Sequence, residues 1–132
     1  MGLREIDELS GIVVDECIRI HRDLGPGLFE SVYETVLAGA LARQGLKVDR
    51  QVPVDIEYDG MRFTAAFRLD LLVAERLILE IKSIESLKNI HAKQLLTYLR
   101  LTGNPVGLVL NFSGETMKEG IRRVVNNHNR EQ

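Results

Sequence analysis

The chain is poor in the residues that would tie it to an oxidising compartment, a membrane or a polyanion. A single cysteine, Cys17, among 132 residues leaves no internal disulfide, which fits a reducing compartment. No run of about 18 or more apolar residues occurs, so no membrane span is expected. The start, Met1-Gly2-Leu3-Arg4-Glu5-Ile6-Asp7-Glu8, carries acids early and lacks the apolar stretch of a signal peptide, so the expected location is cytoplasmic. The formal net charge of −2 gives no general pull toward nucleic acid; such binding would need a local basic patch or a bound metal. There is no His/Cys cluster for zinc, no glycine-rich phosphate loop, no Ser/His/Asp order, no internal repeat and no low-complexity linker. What remains is an ordinary globular composition, 45% hydrophobic and 27% charged, in a length that suits one domain over residues 1–132.

Hydrophobic spacing gives the element order α-α-β-β-β-α-β-α. Ile6, Leu9, Val13, Cys17, Ile20 and Leu24 recur at three- and four-residue steps, as in an amphipathic helix over 5–23 with Cys17 on its core stripe. Gly25-Pro26-Gly27 breaks it. A second helix is expected from Leu28 to Gln44, with Phe29, Val32, Val36 and Ala40 on one side and Gly45 as its stop. Val52, Val54, Ile56 and Tyr58 then alternate with polar residues, and Asp59-Gly60 signals a two-residue hairpin. The return strand places Met61, Phe63, Ala65, Phe67, Leu69 and Leu71 on one face. Its other face carries Arg62, Thr64, Arg68 and Asp70. A turn at Ala74-Glu75-Arg76 leads to a strand over 77–82. A helix over 86–102, a strand Val106–Phe112, a closing helix Glu115–Asn126 and a polar tail follow.

Two of these apolar strands contain charges. Arg68-Leu69-Asp70-Leu71-Leu72-Val73 and Leu77-Ile78-Leu79-Glu80-Ile81-Lys82 both read as buried, and a buried charge costs several kcal/mol unless it is paired or binds a metal. If the 74–76 turn has three residues, Asp70 lies opposite Glu80 and both side chains leave the sheet on the same side; an even-numbered loop would separate them. Two facing carboxylates repel unless a cation sits between them, and such hard oxygens suit Mg²⁺ or Mn²⁺. Lys82 could then stabilise charge developing on phosphoryl oxygens. Gln94 and Tyr98, one turn apart on the next helix, could orient a water or bond a phosphate. Together they would make a hydrolytic site for phosphodiesters. A plainer reading stands beside it. With 19 acids and five lysines in 132 residues, an acid-x-Lys triplet arises about once by chance. Glu80 and Lys82 could be a rim ion pair, and Glu30, Glu34, His91 and the Lys118/Arg122/Arg123 group could be solvated helix faces. Tyr33 could simply pack.

The set Asp70, Glu80-Ile81-Lys82, Gln94 and Tyr98 resembles the PD-(D/E)xK nuclease superfamily, in its exonuclease-like branch with a Gln-x-x-x-Tyr element. Gly27-Leu28-Phe29-Glu30-Ser31-Val32-Tyr33 resembles the GxxExxY pattern of a family of small bacterial proteins. That similarity runs from about His21 to Val125, through Leu24-Gly25-Pro26-Gly27, Gln51-Val52-Pro53-Val54, Asp70-Leu71-Leu72-Val73 and Asn111-Phe112. The resemblance implies an α/β domain with a restriction-endonuclease-like core, α-β-β-β-α-β, plus an extra N-terminal and a C-terminal helix. It implies a Mg²⁺- or Mn²⁺-dependent nuclease acting on DNA, or on RNA. Asp70 and Glu80 would be the metal-binding acids, joined by the backbone carbonyl of Ile81 and by Glu30 from the first core helix, with Glu34 its rival. Lys82 and Gln94 would be catalytic, and Tyr98 and Tyr33 supporting or substrate-binding. Leu69 stands where the superfamily's name calls for proline. The alternatives are a catalytically silent module of the same fold that binds nucleic acid or protein, a homodimer, and a subunit active only in a larger assembly.

Overall fold

A computed structural model describes residues 3–127. The expected tail from Asn127 lies almost wholly outside these residues. Helices α1 (Leu3–Leu24) and α2 (Glu30–Arg43) precede a meander of β1 (Val48–Tyr58), β2 (Met61–Val73) and β3 (Leu77–Lys82). Helix α3 (Asn89–Thr102) crosses to β4 (Val106–Asn111), and a single 3-10 turn, Lys118–Gly120, leads into β5 (Ile121–Val125). The sheet order is β1-β2-β3-β4-β5, antiparallel except for the parallel β3/β4 pair that α3 connects. The result is a mixed α/β fold consistent with a restriction-endonuclease-like core.

Alternate residues of the central strands feed two cores. Leu77, Leu79 and Ile81 of β3 pack toward α1 and α2, together with Val13, Cys17, Tyr33, Leu37 and Leu41. Ile78 packs on the other face with Leu95 and Leu99 of α3. The α1 stripe is buried as expected from Ile6 to Ile20, but Leu24 is exposed. On α2 the expected face is rotated. Tyr33, Leu37 and Leu41 are fully buried, whereas Phe29 and Val32 are exposed. This helix is apolar around most of its circumference, so its pattern fixes no side; Tyr33 decides it by stacking on Phe112, 4.5 Å between ring centres.

The closing helix expected over Glu115–Asn126 is not formed; Ile121–Val125 is a strand paired antiparallel with β4. All six residues of β4 are buried. Its outer edge would leave backbone groups unpaired without a further strand, and β-branched Ile121, Val124 and Val125 suit one. Ile121 and Val125 pack on the first core and Val124 on the second. Arg122 and Arg123 therefore leave opposite faces of an edge strand instead of sharing a helix face. Gly120 permits the approach, since a Cβ there would lie 2.1 Å from the backbone oxygen of Asn111.

Strands β1 and β2 exchange faces midway. Val48 of β1 and Leu71 and Val73 of β2 join the first core, whereas Val52, Val54, Phe67 and Leu69 join the second. The register is the same on both sides of the change, with Arg50 opposite Leu71 and Val52 opposite Leu69. Only Gln51 and Asp70 lie between, and Gln51 has a left-handed backbone, φ 48°. Strict alternation, which would keep Phe67, Leu69 and Leu71 on one face, fails at Asp70. Gly120→Ala should lower stability by roughly 2 kcal/mol or more through this backbone clash, read as the midpoint shift in urea unfolding.

Candidate active site

Asp70 and Glu80 occupy the point where β2 and β3 part. A three-residue turn at 74–76 sets the pairs Val73/Leu77, Leu72/Ile78 and Leu71/Leu79, and the next opposed pair is Asp70 and Glu80. There the side chains take over from the ladder. The Asp70 N–H donates to Glu80 Oε2 (3.1 Å), and the Ile81 N–H donates to Asp70 Oδ2 (2.8 Å). Each carboxylate thus holds the backbone of the opposite strand, and the two acids lie together as the turn length implied.

Acids and amides continue the array toward α2. Gln51 Nε2 donates to Glu34 Oε1 (2.8 Å) and to Asp70 Oδ1 (3.4 Å). Arg50 reaches Glu34 Oε2 through Nη2 at 3.1 Å and also donates to Thr35 Oγ1. Glu34, 6% exposed, is therefore the α2 acid linked to Asp70. Glu30 is exposed one turn earlier, where Oε2 accepts the Ser83 N–H at 3.3 Å. The two acids share a helix face, so their position along α2 separates them: Glu34 lies beside Gln51 and Asp70, Glu30 one turn earlier beside Ser83.

Burial makes this group of acids costly. Glu80 is 6% exposed, and its pKa is pushed up to about 8, first by burial and then by the charge of Asp70, with Glu34 adding to it. The Asp70 N–H and the Lys82 ammonium oppose that rise. Tyr98 stacks on Phe67 at 4.1 Å between ring centres, and its hydroxyl pKa is raised by partial burial and by the charges of Glu80 and Asp70. Lys82, Glu80 and Tyr98 thus share one electrostatic neighbourhood.

Other expected residues lie apart from it. Gln94 is exposed, and its side chain makes no hydrogen bond among the described residues. Tyr33 is fully buried and cannot reach a substrate. Its hydroxyl donates to the Gly25 carbonyl (2.6 Å) and accepts the Leu28 N–H (3.2 Å), which pins the Gly-Pro-Gly loop. His91 accepts the Lys88 N–H through Nδ1 and so closes the start of α3. Gln51 and Arg50 were not legible as site residues. One residue lies between Val54 and Ile56 but three lie between Phe63 and Phe67, and this bulge hides from the hairpin turn that Gln51 faces Asp70.

The family model for the PD-(D/E)XK nuclease superfamily matches residues 7–124. The chain belongs to the PD-(D/E)XK nuclease superfamily. Among solved structures, the crystal structure of SSO0001 is similar, with a TM-score of 0.54 and 21% identity, a likeness of fold. The match covers 73% of this chain and 48% of that one, so the chain spans about half the length of SSO0001. No curated protein matches the chain significantly. PD-(D/E)XK nucleases generally use divalent metals. No helix among the described residues is long and apolar enough to cross a membrane.

The residues of this PD-(D/E)XK domain fit such an ion as a pair of acids. Among the described residues no group of three or more His, Cys, Asp or Glu side chains is placed to hold a metal. Asp70 and Glu80 supply hard oxygens, and Mg²⁺ commonly takes one or two carboxylates with waters completing its shell. The raised pKa of Glu80 marks a buried negative field that a cation would relieve. Without metal, a carboxyl whose folded pKa exceeds its unfolded value keeps its proton better when folded, so stability falls as pH climbs from about 4.5 to about 8. Glu80→Gln should remove most of that loss, on the order of a few kcal/mol across the window, in chemical unfolding at pH 5 and pH 8 with EDTA.

Proposed function

We propose that the protein is a divalent-metal-dependent nuclease that hydrolyses phosphodiester bonds in DNA or RNA, with Asp70, Glu80 and Lys82 as its central residues. The observation that carries this reading is the reciprocal bonding of Asp70 and Glu80 to each other's strands, with the Lys82 ammonium acting on Glu80. Two carboxylates held by backbone N–H groups are fixed before any substrate arrives, which is what a hydrolytic site needs. Asp70 and Glu80 would hold Mg²⁺ or Mn²⁺, with the Ile81 carbonyl as a further donor and Glu34 supporting through Gln51. The ion would polarise a phosphoryl oxygen and lower the pKa of a bound water.

The chain's own groups then divide the work. The Lys82 ammonium stabilises negative charge that grows on the phosphoryl group, so it matters more in the transition state than in the ground state. The Tyr98 hydroxyl, kept protonated by the neighbouring acids, donates to a phosphate or to a carboxylate. Gln94, exposed on the same helix one turn away, meets the substrate strand. A silent binding module is less well supported, because a copy that had lost its activity would be expected to have lost at least one of Asp70, Glu80, Lys82 and Gln94.

The test is cleavage of single- and double-stranded DNA and RNA with Mg²⁺, with Mn²⁺ and with EDTA. Metal-dependent cleavage is expected. Lys82→Met keeps the apolar stem and should lower the rate by about 10²-fold or more while leaving metal binding in place. Equal cleavage by wild type and Lys82→Met, or cleavage undiminished in EDTA, would remove the nuclease assignment from this site.

A further inference from the structure

Phe29 is 82% exposed, the most exposed large apolar side chain of the described residues. It stands at the lip of a cleft of about 620 Å³, whose walls also carry Glu30, Ser31, Ser83 and Ser113. The cleft adjoins the acids by two routes. Ser83 follows Lys82 directly, and Glu30 lies one helical turn, about 6 Å, before Glu34 on α2. No lysine or arginine lines it, so its chemistry suits a neutral ligand rather than a phosphate. The Ser83 hydroxyl already donates to the Leu28 carbonyl (2.7 Å) and can only accept from a ligand, whereas those of Ser31 and Ser113 can donate or accept. One oxygen of Glu30 accepts the Ser83 N–H, and the other is left to accept from a ligand. A flat, uncharged group with N–H donors on its edge, lying against an aromatic ring, answers all of these features.

We propose that this cleft is a subsite for one unpaired nucleobase, with Phe29 as its stacking surface and Glu30 as the acceptor for an N–H of the pairing edge. The assignment rests on the nuclease reading for its ligand class and deepens it: the substrate is a single strand, or a frayed end, of DNA or RNA. A base inside a duplex has its pairing edge occupied and its faces covered by neighbours. A strand whose backbone passes Lys82 can place an adjoining base against Phe29 without any cation in the cleft. Stacking on an aromatic ring tolerates every base, because each has a π face.

The chain has no tryptophan, so Phe29→Trp installs a single fluorescent reporter at an exposed position. The variant, with its fold checked by circular dichroism, is titrated in EDTA with single-stranded DNA, single-stranded RNA and a blunt DNA duplex. Saturable quenching by one or both single strands, with the duplex at least about tenfold weaker, is expected. Phe29→Ala should weaken single-strand binding, read by anisotropy of a labelled oligonucleotide, by about tenfold. No change in emission, equal response to the duplex, or unaltered affinity of Phe29→Ala would overturn the subsite. Emission that depends on protein concentration before any oligonucleotide is added would also overturn it, by assigning Phe29 to a contact between copies. The two readings fail separately. A silent tryptophan in a protein that cleaves through Asp70 ends the subsite alone, whereas quenching without any metal-dependent cleavage ends the nuclease reading alone.

Discussion

Everything distinctive about the site depends on how β2 and β3 separate. A sheet that simply ended at Leu71 and Leu79 would leave the Asp70 and Ile81 N–H groups facing an opening gap. Their partners are instead the carboxylates of Glu80 and Asp70, so the strands diverge without orphaned donors. The bonds also keep the acids from turning away from each other. Repulsion that would disperse two mobile side chains is here held in place by the backbone.

That arrangement orders the surrounding polar groups. Glu34 would add a third negative charge to the cluster, and Arg50 and Gln51 offset it. Gln51 can reach both Glu34 and Asp70 because its backbone is left-handed, at the position where β1 and β2 exchange faces. The kink thus serves packing and chemistry together. Below it, Leu71 and Val73 support α1 and α2; above it, Phe67 offers the ring on which Tyr98 stacks. A left-handed backbone at Gln51 and an interruption of the ladder at Asp70 are departures from regular structure of the kind that cluster at functional sites.

Local rules made the central strands legible, because the three-residue turn between β2 and β3 fixes their register and so the meeting of Asp70 with Glu80. Longer-range geometry hid other parts. The bulge between Val54 and Ile56 shifts β1 against β2, so no count from Asp59-Gly60 could place Gln51 opposite Asp70. The face of α2 depends on Tyr33 meeting Phe112, a contact between distant segments. Glu30 and Glu34 share a helix face, and it is their position along α2 that sets Glu34 beside Gln51 and Glu30 beside Ser83. The last segment read as a helix because 115–126 contains enough apolar residues at helical steps. The unfilled edge of β4 and the close approach at Gly120 make it a strand.

Asp70 and Glu80 carry the central claim, that two backbone-tethered carboxylates at the parting of β2 and β3 form a cation site. Isothermal titration of the protein with Mn²⁺, compared with the same titration of Asp70→Asn, tests it most directly. The substitution keeps the shape and a hydrogen-bonding oxygen for the Ile81 N–H but removes a negative ligand. Saturable binding at millimolar Mn²⁺ or below is expected for the wild type, weakened at least about tenfold in Asp70→Asn, the scale seen when a partner of a metal ligand is lost. Absence of binding by the wild type, or binding that Asp70→Asn leaves unchanged, would contradict the account.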